Sequence, residues 1–206
     1  RKMNALNNFF KKIYCINLDR RPDRWEHASK QFEKFGINVE RFSAIDHEQL
    51  DNIPPNIKSG AYACMLSHCE IIEKCKNNNV ENVLIFEDDV VLDDDILNVF
   101  ENNINHIPRW DMIYFGGYHI HRPTHIDKNI YKLHYSYALH SYACNHTMYD
   151  SLLKIEKDNY IDVSIAGMHN THDCFLLTKD DGSSLTKQYP NFSDIENGYK
   201  DYTNIL

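Results

Sequence analysis

A chain of 206 residues with net charge −8 fits a single domain, long enough to bury about 70% of its unfolded surface. Its 42% hydrophobic and 25% charged residues are those of an ordinary globular protein. The acidic balance without a Lys/Arg cluster argues against nucleic-acid binding, which needs a basic face. No apolar run approaches the ~18 residues of a membrane span, and no signal peptide opens the chain. It begins at Arg1, as a domain taken from a longer protein would. Cys15, Cys64, Cys69, Cys75, Cys144 and Cys174 form no CxxC pair, so they read mostly as buried thiols rather than a zinc or disulfide framework.

Residues 12–18 read as a first strand, and Asp19-Arg20-Arg21 turns out of it. Pro22 suits the first position of a helix, Trp25, Ala28, Phe32 and Phe35 recur at helical spacing, and Gly36 ends it. A second strand over 39–42 leads to Ser43-Ala44-Ile45-Asp46, completing a βαβ unit. Arg20, Arg21 and Arg24 stand where a diphosphate would be met; a solvated basic turn explains them equally well. After a Pro-containing loop, Ser59 is expected to cap a helix with Tyr62, Met65, Leu66, Cys69 and Ile72 on its apolar face. Ser67 and His68 fall off or at the edge of that stripe.

Val83-Leu84-Ile85-Phe86 then runs straight into Glu87-Asp88-Asp89. An unbroken β-branched and bulky run is the signature of a strand covered on both faces. Acids at its carboxyl end lie where open α/β sheets build ligand sites, and clustered carboxylates attract a hard divalent cation such as Mg²⁺ or Mn²⁺. The alternative is an acidic turn that merely ends a strand. A helix over 94–104 follows, with Asp93, Asp94 and Asp95 suited to its amino end. Residues 110–115 make a strand ended by Gly116-Gly117, and 119–128 read as a polar loop with three histidines. Residues 132–135 and 137–144 alternate as a hairpin or edge pair. Thr147 opens another helix, 162–173 reads as an acidic loop, and Cys174-Phe175-Leu176-Leu177 is a last buried strand.

These residues together resemble a known family. Ile16-Asn17-Leu18-Asp19-Arg20-Arg21-Pro22-Asp23-Arg24, Ser43-Ala44-Ile45-Asp46, Gly60-Ala61-Tyr62-Ala63-Cys64-Met65-Leu66-Ser67-His68, Phe86-Glu87-Asp88-Asp89 and Ser193-Asp194-Ile195-Glu196-Asn197 are similar, in order, to motifs of glycosyltransferase family 25. The chain departs from the pattern at Ala63, where a glycine is common, and only loosely follows it over 162–173. The resemblance implies an α/β fold of the GT-A type, a central mostly parallel sheet flanked by helices with a small antiparallel pair. It further implies a single catalytic domain that inverts the anomeric carbon, with a UDP-sugar donor and Mn²⁺. Glu87 and Asp89, with Asp88 beside them, would hold the metal and diphosphate. Asn17, Arg20, Arg24 and Asp46 would meet the nucleotide, and Ser67 or His68 the donor pocket. Asp162 would be the general base, with Asp173 in reserve. The family includes lipooligosaccharide transferases and collagen hydroxylysine galactosyltransferases, so the acceptor is a collagen-like protein or a glycan. An Asn/Ile/Lys/Tyr-rich composition points to an AT-rich genome and so to the family's giant-virus collagen transferases, acting in a host endoplasmic reticulum lumen or in the cytoplasm of an infected cell. Two rivals remain: a nucleotide-binding module that transfers nothing, and a metal phosphohydrolase using the same acids.

Overall fold

Asn4 caps a short helix, α1 (Ala5–Phe9), its side chain accepting from the Leu6 and Asn7 amides. The computed structural model describes residues 4–107 and 109–189; the Ser193-to-Asn197 motif lies outside them. β1 (Lys12–Asn17) follows, then α2 (Pro22–Phe35), which starts on its proline and stops where Gly36 takes φ 65°. A left-handed residue at that point costs a glycine little. β2 (Glu40–Ser43) lies parallel to β1. α3 (Ser59–Asn77) is the long helix of the fold. Its cap is Lys58 rather than Ser59: Lys58 has the extended cap backbone, and its carbonyl already accepts from the Tyr62 amide.

β3 (Asn82–Glu87) and the short β4 (Val90–Leu92) lead to α4 (Ile96–Asn103) and β5 (Met112–Tyr114). β6 (Tyr118–His121) and β7 (Thr124–Asp127) occupy the stretch expected as a histidine-containing loop. β7 is exposed throughout, so hydrophobic alternation never marks it; backbone pairing to β8 (Ile130–Lys132) makes it a strand. β9 (Tyr135–Tyr137) pairs with β6, and β10 (Ser141–Asn145) enters the main sheet. The expected hairpin over 132–144 is therefore the end of β8, then β9 and β10, none of which pairs with another: β8 lies between β11 and β7, β9 pairs with β6, and β10 lies between β3 and β5. α5 (His146–Leu153) is capped by Asn145, and α6 (Ile161–Ala166) replaces the expected loop, burying Ile161, Ile165 and Ala166. At six residues it is too short to show a period in sequence. β11 (Cys174–Leu177) and β12 (Thr186–Gln188) complete the described chain.

Eight strands form the main sheet in the order β2-β1-β3-β10-β5-β11-β8-β7. β2, β1 and β3 are mutually parallel, as are β5 and β11, while β10 and β8 run against their neighbours. β4 with β12, and β6 with β9, form two small antiparallel pairs. Each face of the main sheet carries its own core. Tyr14, Ile16, Ile85 and Tyr142 pack toward α3, α5 and α6 with Met65, Ile72, Met148 and Ile165. Ile13, Cys15, Leu84 and Phe86 pack toward α1, α2 and α4 with Leu6, Phe32 and Phe100. Successive side chains of a strand alternate faces; with both faces covered, both sets must be apolar, which is why residues 83–86 show no polar alternation. Gly116 is needed for close approach: a side chain there would meet Thr186 Oγ1 at 2.7 Å, so the glycine admits β12 rather than a ligand.

Asp93, Asp94 and Asp95 stand at the amino end of α4. Asp93 Oδ1 accepts from the Asp95 amide, Lys179 pairs with Asp93 at 3.0 Å, and Lys34 with Asp94 at 2.6 Å. The Lys34–Asp94 pair is highly exposed and contributes little. Asp94→Asn is expected to change turnover by less than about threefold, because exposed pairs act weakly and Asp94 does not line the cleft described below; steady-state rates on the folded variant check this.

Candidate functional site

Three acids on consecutive residues are tolerable only if each has its own answer, since burying an unpaired charge is costly. Asp88 has two partners. Its Oδ2 accepts from Asn17 Nδ2 at 2.6 Å, and its Oδ1 lies 2.7 Å from an Arg24 guanidinium nitrogen. Asn17 also donates to the Arg21 carbonyl and accepts from Arg41 Nε, which engages the whole amide. It orients Asp88 and Arg41 rather than reaching a nucleotide. Burial raises the Asp88 pKa, and Arg24 and Asn17 hold the rise back.

Asp89 is answered on one side only. Oδ2 accepts from Gln188 Nε2 at 3.2 Å and stands 3.8 Å from Arg24. Oδ1 is buried and has no hydrogen-bond partner among the described residues. Burial first, then the charge of Glu87, push this acid up to about 8 despite Arg24. Glu87 goes the other way. Burial opposes ionisation, but the His68 hydrogen bond and the nearby charges of His68, His140 and Arg24 outweigh it and hold the acid below its usual range. Near neutral pH, without a cation, Glu87 is ionised and Asp89 keeps its proton.

His68 lies 3.0 Å from Glu87 Oε1 through Nε2 and 2.8 Å from the Tyr142 hydroxyl through Nδ1. Ser67 Oγ donates to the Ala63 carbonyl and accepts from the Ile45 amide, fastening α3 to the loop after β2. Both side chains are fully buried rather than lining the donor pocket; they position their neighbours. The cleft itself is lined by Arg20, Arg24, Cys64, Glu87, Asp89 and Gln188, among others. Asp46 pairs with Arg20 Nε at 2.7 Å and caps the turn over 47–49 by accepting from the Glu48 amide, so it holds an arginine at the cleft.

The two base candidates lie at opposite ends of the sheet. Asp162 begins α6, its Oδ2 accepting from Ala138 N at 3.1 Å and its Oδ1 from Val163 N at 2.9 Å. Burial raises its pKa, these backbone bonds oppose the rise, and the charge of Glu87 adds to it. Ala138 precedes β10, whose first residue, Ser141, pairs with Phe86, so Asp162 stands on the side of the sheet that carries the acids. Asp173 precedes β11, which starts level with the first residue of β5; both strands run in the direction of β3, whose acids are at its finish. Asp173 therefore sits at the far end, its side chain 3.2 Å from Arg109, and is not brought to the cleft.

Four contributors went unread in the sequence. Cys64 stands one helical turn before His68, a spacing that signals a shared face. Arg41, Tyr142 and Gln188 had no local signal, because each reaches the site from a distant element. Glu87 and Asp89 supply the oxygen donors that a hard divalent cation prefers. Asp89 Oδ1 has no hydrogen-bond partner among the described residues, which leaves a carboxylate oxygen open to a cation, so these residues fit Mn²⁺ or Mg²⁺.

Fold and site define an α/β domain whose ligand cleft lies at the carboxyl ends of its parallel strands, edged by acids and arginines. Residues 10–161 match the model of "Glycosyltransferase family 25 (LPS biosynthesis protein)", and the chain belongs to that family. Its mixed, mostly parallel sheet between helical layers is of the GT-A type. It is 35% identical over 126 residues to a "Glycosyltransferase 25 family member" of Aedes aegypti, covering 50% of this chain and 21% of that protein. "Lipooligosaccharide biosynthesis protein lic2B" of Haemophilus influenzae is 32% identical over 89 residues, 38% of this chain and 34% of that one. "Inactive glycosyltransferase 25 family member 3" of Homo sapiens is 27% identical over 129 residues, 52% and 22% of the two. The matched stretch thus spans 21% to 34% of these relatives' lengths. Among solved structures, a glycosyltransferase involved in glycosylation of the major capsid of PBCV-1 superposes with TM-score 0.41 at 11% identity, covering 68% of this chain and 62% of that one. No helix among the described residues is long and apolar enough to cross a membrane.

Proposed function

We propose that this domain is an inverting, metal-dependent hexosyltransferase, moving galactose or glucose from a UDP-sugar to an acceptor hydroxyl, that of hydroxylysine in a collagen-like protein. The observation that carries the reading is the buried Asp89 oxygen without a hydrogen-bond partner among the described residues, beside an ionised Glu87, on a cleft edged by Arg20 and Arg24. Glu87 and Asp89 would hold Mn²⁺, which when bound supplies positive charge to the diphosphate as UDP departs. Arg20, held by Asp46, faces the same diphosphate. Arg24 and Asn17 hold the Asp88 carboxylate in place on the cleft wall. Asp162 accepts the acceptor hydroxyl's proton as its oxygen attacks the anomeric carbon from the face opposite UDP and the bond to the phosphate oxygen breaks. A partly buried carboxylate with a raised pKa is a better base than an exposed one, and its two backbone hydrogen bonds fix its direction.

The Haemophilus relative's name favours a second acceptor, the terminal sugar of a lipooligosaccharide. Transfer assays on a hydroxylysine peptide and on a truncated lipooligosaccharide separate the two. A binding module that transfers nothing is set apart by hydrolysis: with Mn²⁺, an active domain slowly releases UDP from its donor.

The reading is tested by calorimetry of UDP. Affinity is expected to be higher with Mn²⁺ than with EDTA, and equal affinity in both buffers overturns the metal's role. A cation must displace the proton that Asp89 holds up to about 8. Apparent Mn²⁺ affinity therefore rises with pH, by up to about tenfold per unit, and levels off above that value. A flat profile between pH 6 and 8 would exclude Asp89 as the ligand.

A further inference from the structure

Cys64 and His68 are four residues apart on α3, so they project from one face of the helix. That face meets the end of β3. His68 Nε2 lies 3.0 Å from Glu87 Oε1, and Cys64 Sγ lies 3.6 Å from the same oxygen. The three ligand atoms all fall within 4.8 Å of one another. One sulfur, one imidazole nitrogen and one carboxylate oxygen are a poor set for Mn²⁺ but suit zinc, which takes Cys, His and Glu in sites of three protein ligands with a fourth position open. The outer contact is also in place. His68 Nδ1 is 2.8 Å from the Tyr142 hydroxyl, a partner that fixes the ring with Nε2 toward the cluster. Cys64 lines the cleft, which provides an entry path and the open position.

We propose that Cys64, His68 and Glu87 form a second cation site, selective for Zn²⁺-class ions and separate from the oxygen ligand Asp89. The ion binds Cys64 Sγ, His68 Nε2 and Glu87 Oε1. The thiol proton is released to solvent, and His68 carries its ring proton on Nδ1, toward Tyr142. Because Glu87 belongs to both sets, filling this site withdraws Glu87 from the oxygen site.

Co²⁺, a spectroscopic stand-in for zinc, tests this on the whole chain without any assay of transfer. The unmodified protein is expected to develop a near-ultraviolet thiolate-to-cobalt band that saturates at one equivalent and is erased by one equivalent of Zn²⁺. The band should vanish in Cys64→Ser and persist in Cys69→Ser, whose thiol lies elsewhere on the helix. It should also persist in Asp89→Asn, so failure of the oxygen site leaves this result intact. Thermal melts accompany each variant. Should Cys64→Ser not fold, alkylation of the unmodified protein, read by mass spectrometry, gives the answer: Zn²⁺ slows labelling of Cys64 and leaves Cys69 unchanged. Absence of a thiolate band in the folded native protein overturns the proposal. So does a band that survives Cys64→Ser, or equal labelling of Cys64 with and without Zn²⁺.

Discussion

Asp89→Asn is expected to lower transfer by about 10³-fold or more, the scale at which lost stabilisation of developing charge shows in turnover, while the protein stays folded. The amide keeps the shape of the protonated acid but is a far weaker cation ligand, so the advantage of Mn²⁺ for UDP binding should disappear with it. Stability should not fall. Native Asp89 is pushed up to about 8, whereas an unfolded chain's aspartate titrates near 3.9. Below roughly 4 both states hold the proton and the acid contributes no difference. As pH rises from there to about 8, the unfolded chain releases its proton and the native state keeps it, so the wild-type protein loses stability across that window. Asparagine lacks this slope. Melts of the two proteins at pH 5 and pH 7.5 should therefore diverge, with the variant equal or more stable at the higher pH. A variant that transfers at the wild-type rate, or that unfolds at neutral pH, contradicts the assignment.

Asp162→Asn should slow transfer by ~10²-fold or more, the usual worth of a positioned base, and leave UDP affinity unchanged, because a base matters only when an acceptor is deprotonated. Its amide can still accept from Ala138 N and Val163 N, so the turn it anchors should persist. The comparison is Asp173→Asn, which sits at the other end of the sheet against Arg109 and should keep its rate. Single-turnover rates to a hydroxylysine peptide, with calorimetric UDP affinities for both variants, decide between them. A full rate in Asp162→Asn with a lost rate in Asp173→Asn reverses the roles. Loss of UDP binding in Asp162→Asn makes it a donor contact instead.

Residues whose role is set by chain-local physics were legible in the sequence. α2 is bounded by a proline that fits a first turn and a glycine that takes φ 65°, and both act through their own backbone. β1, β3, β5 and β11 are covered on both faces, so each carries its own apolar run. The acids after Phe86 inherit their place from the strand before them. The ordered motifs added the family. What only the tertiary structure decided is partnership. β10 lies between β3 and β5 although about 55 residues separate it from the former, and loop closure over such lengths leaves no local mark. Asn17 reads as a strand-end amide, yet its occupant is Asp88, 71 residues on. Ser67 and His68 fall at the edge of a helical stripe by period, yet both are buried because the loop after β2 and the end of β3 close over them. The same three consecutive acids are shifted differently, Glu87 down and Asp88 and Asp89 up, since each meets a different distant group: His68 for Glu87, Arg24 and Asn17 for Asp88, and for one oxygen of Asp89 no donor among the described residues. Residue type and order come from the chain itself. Charge state and free coordination follow from burial and from what the fold sets opposite each oxygen.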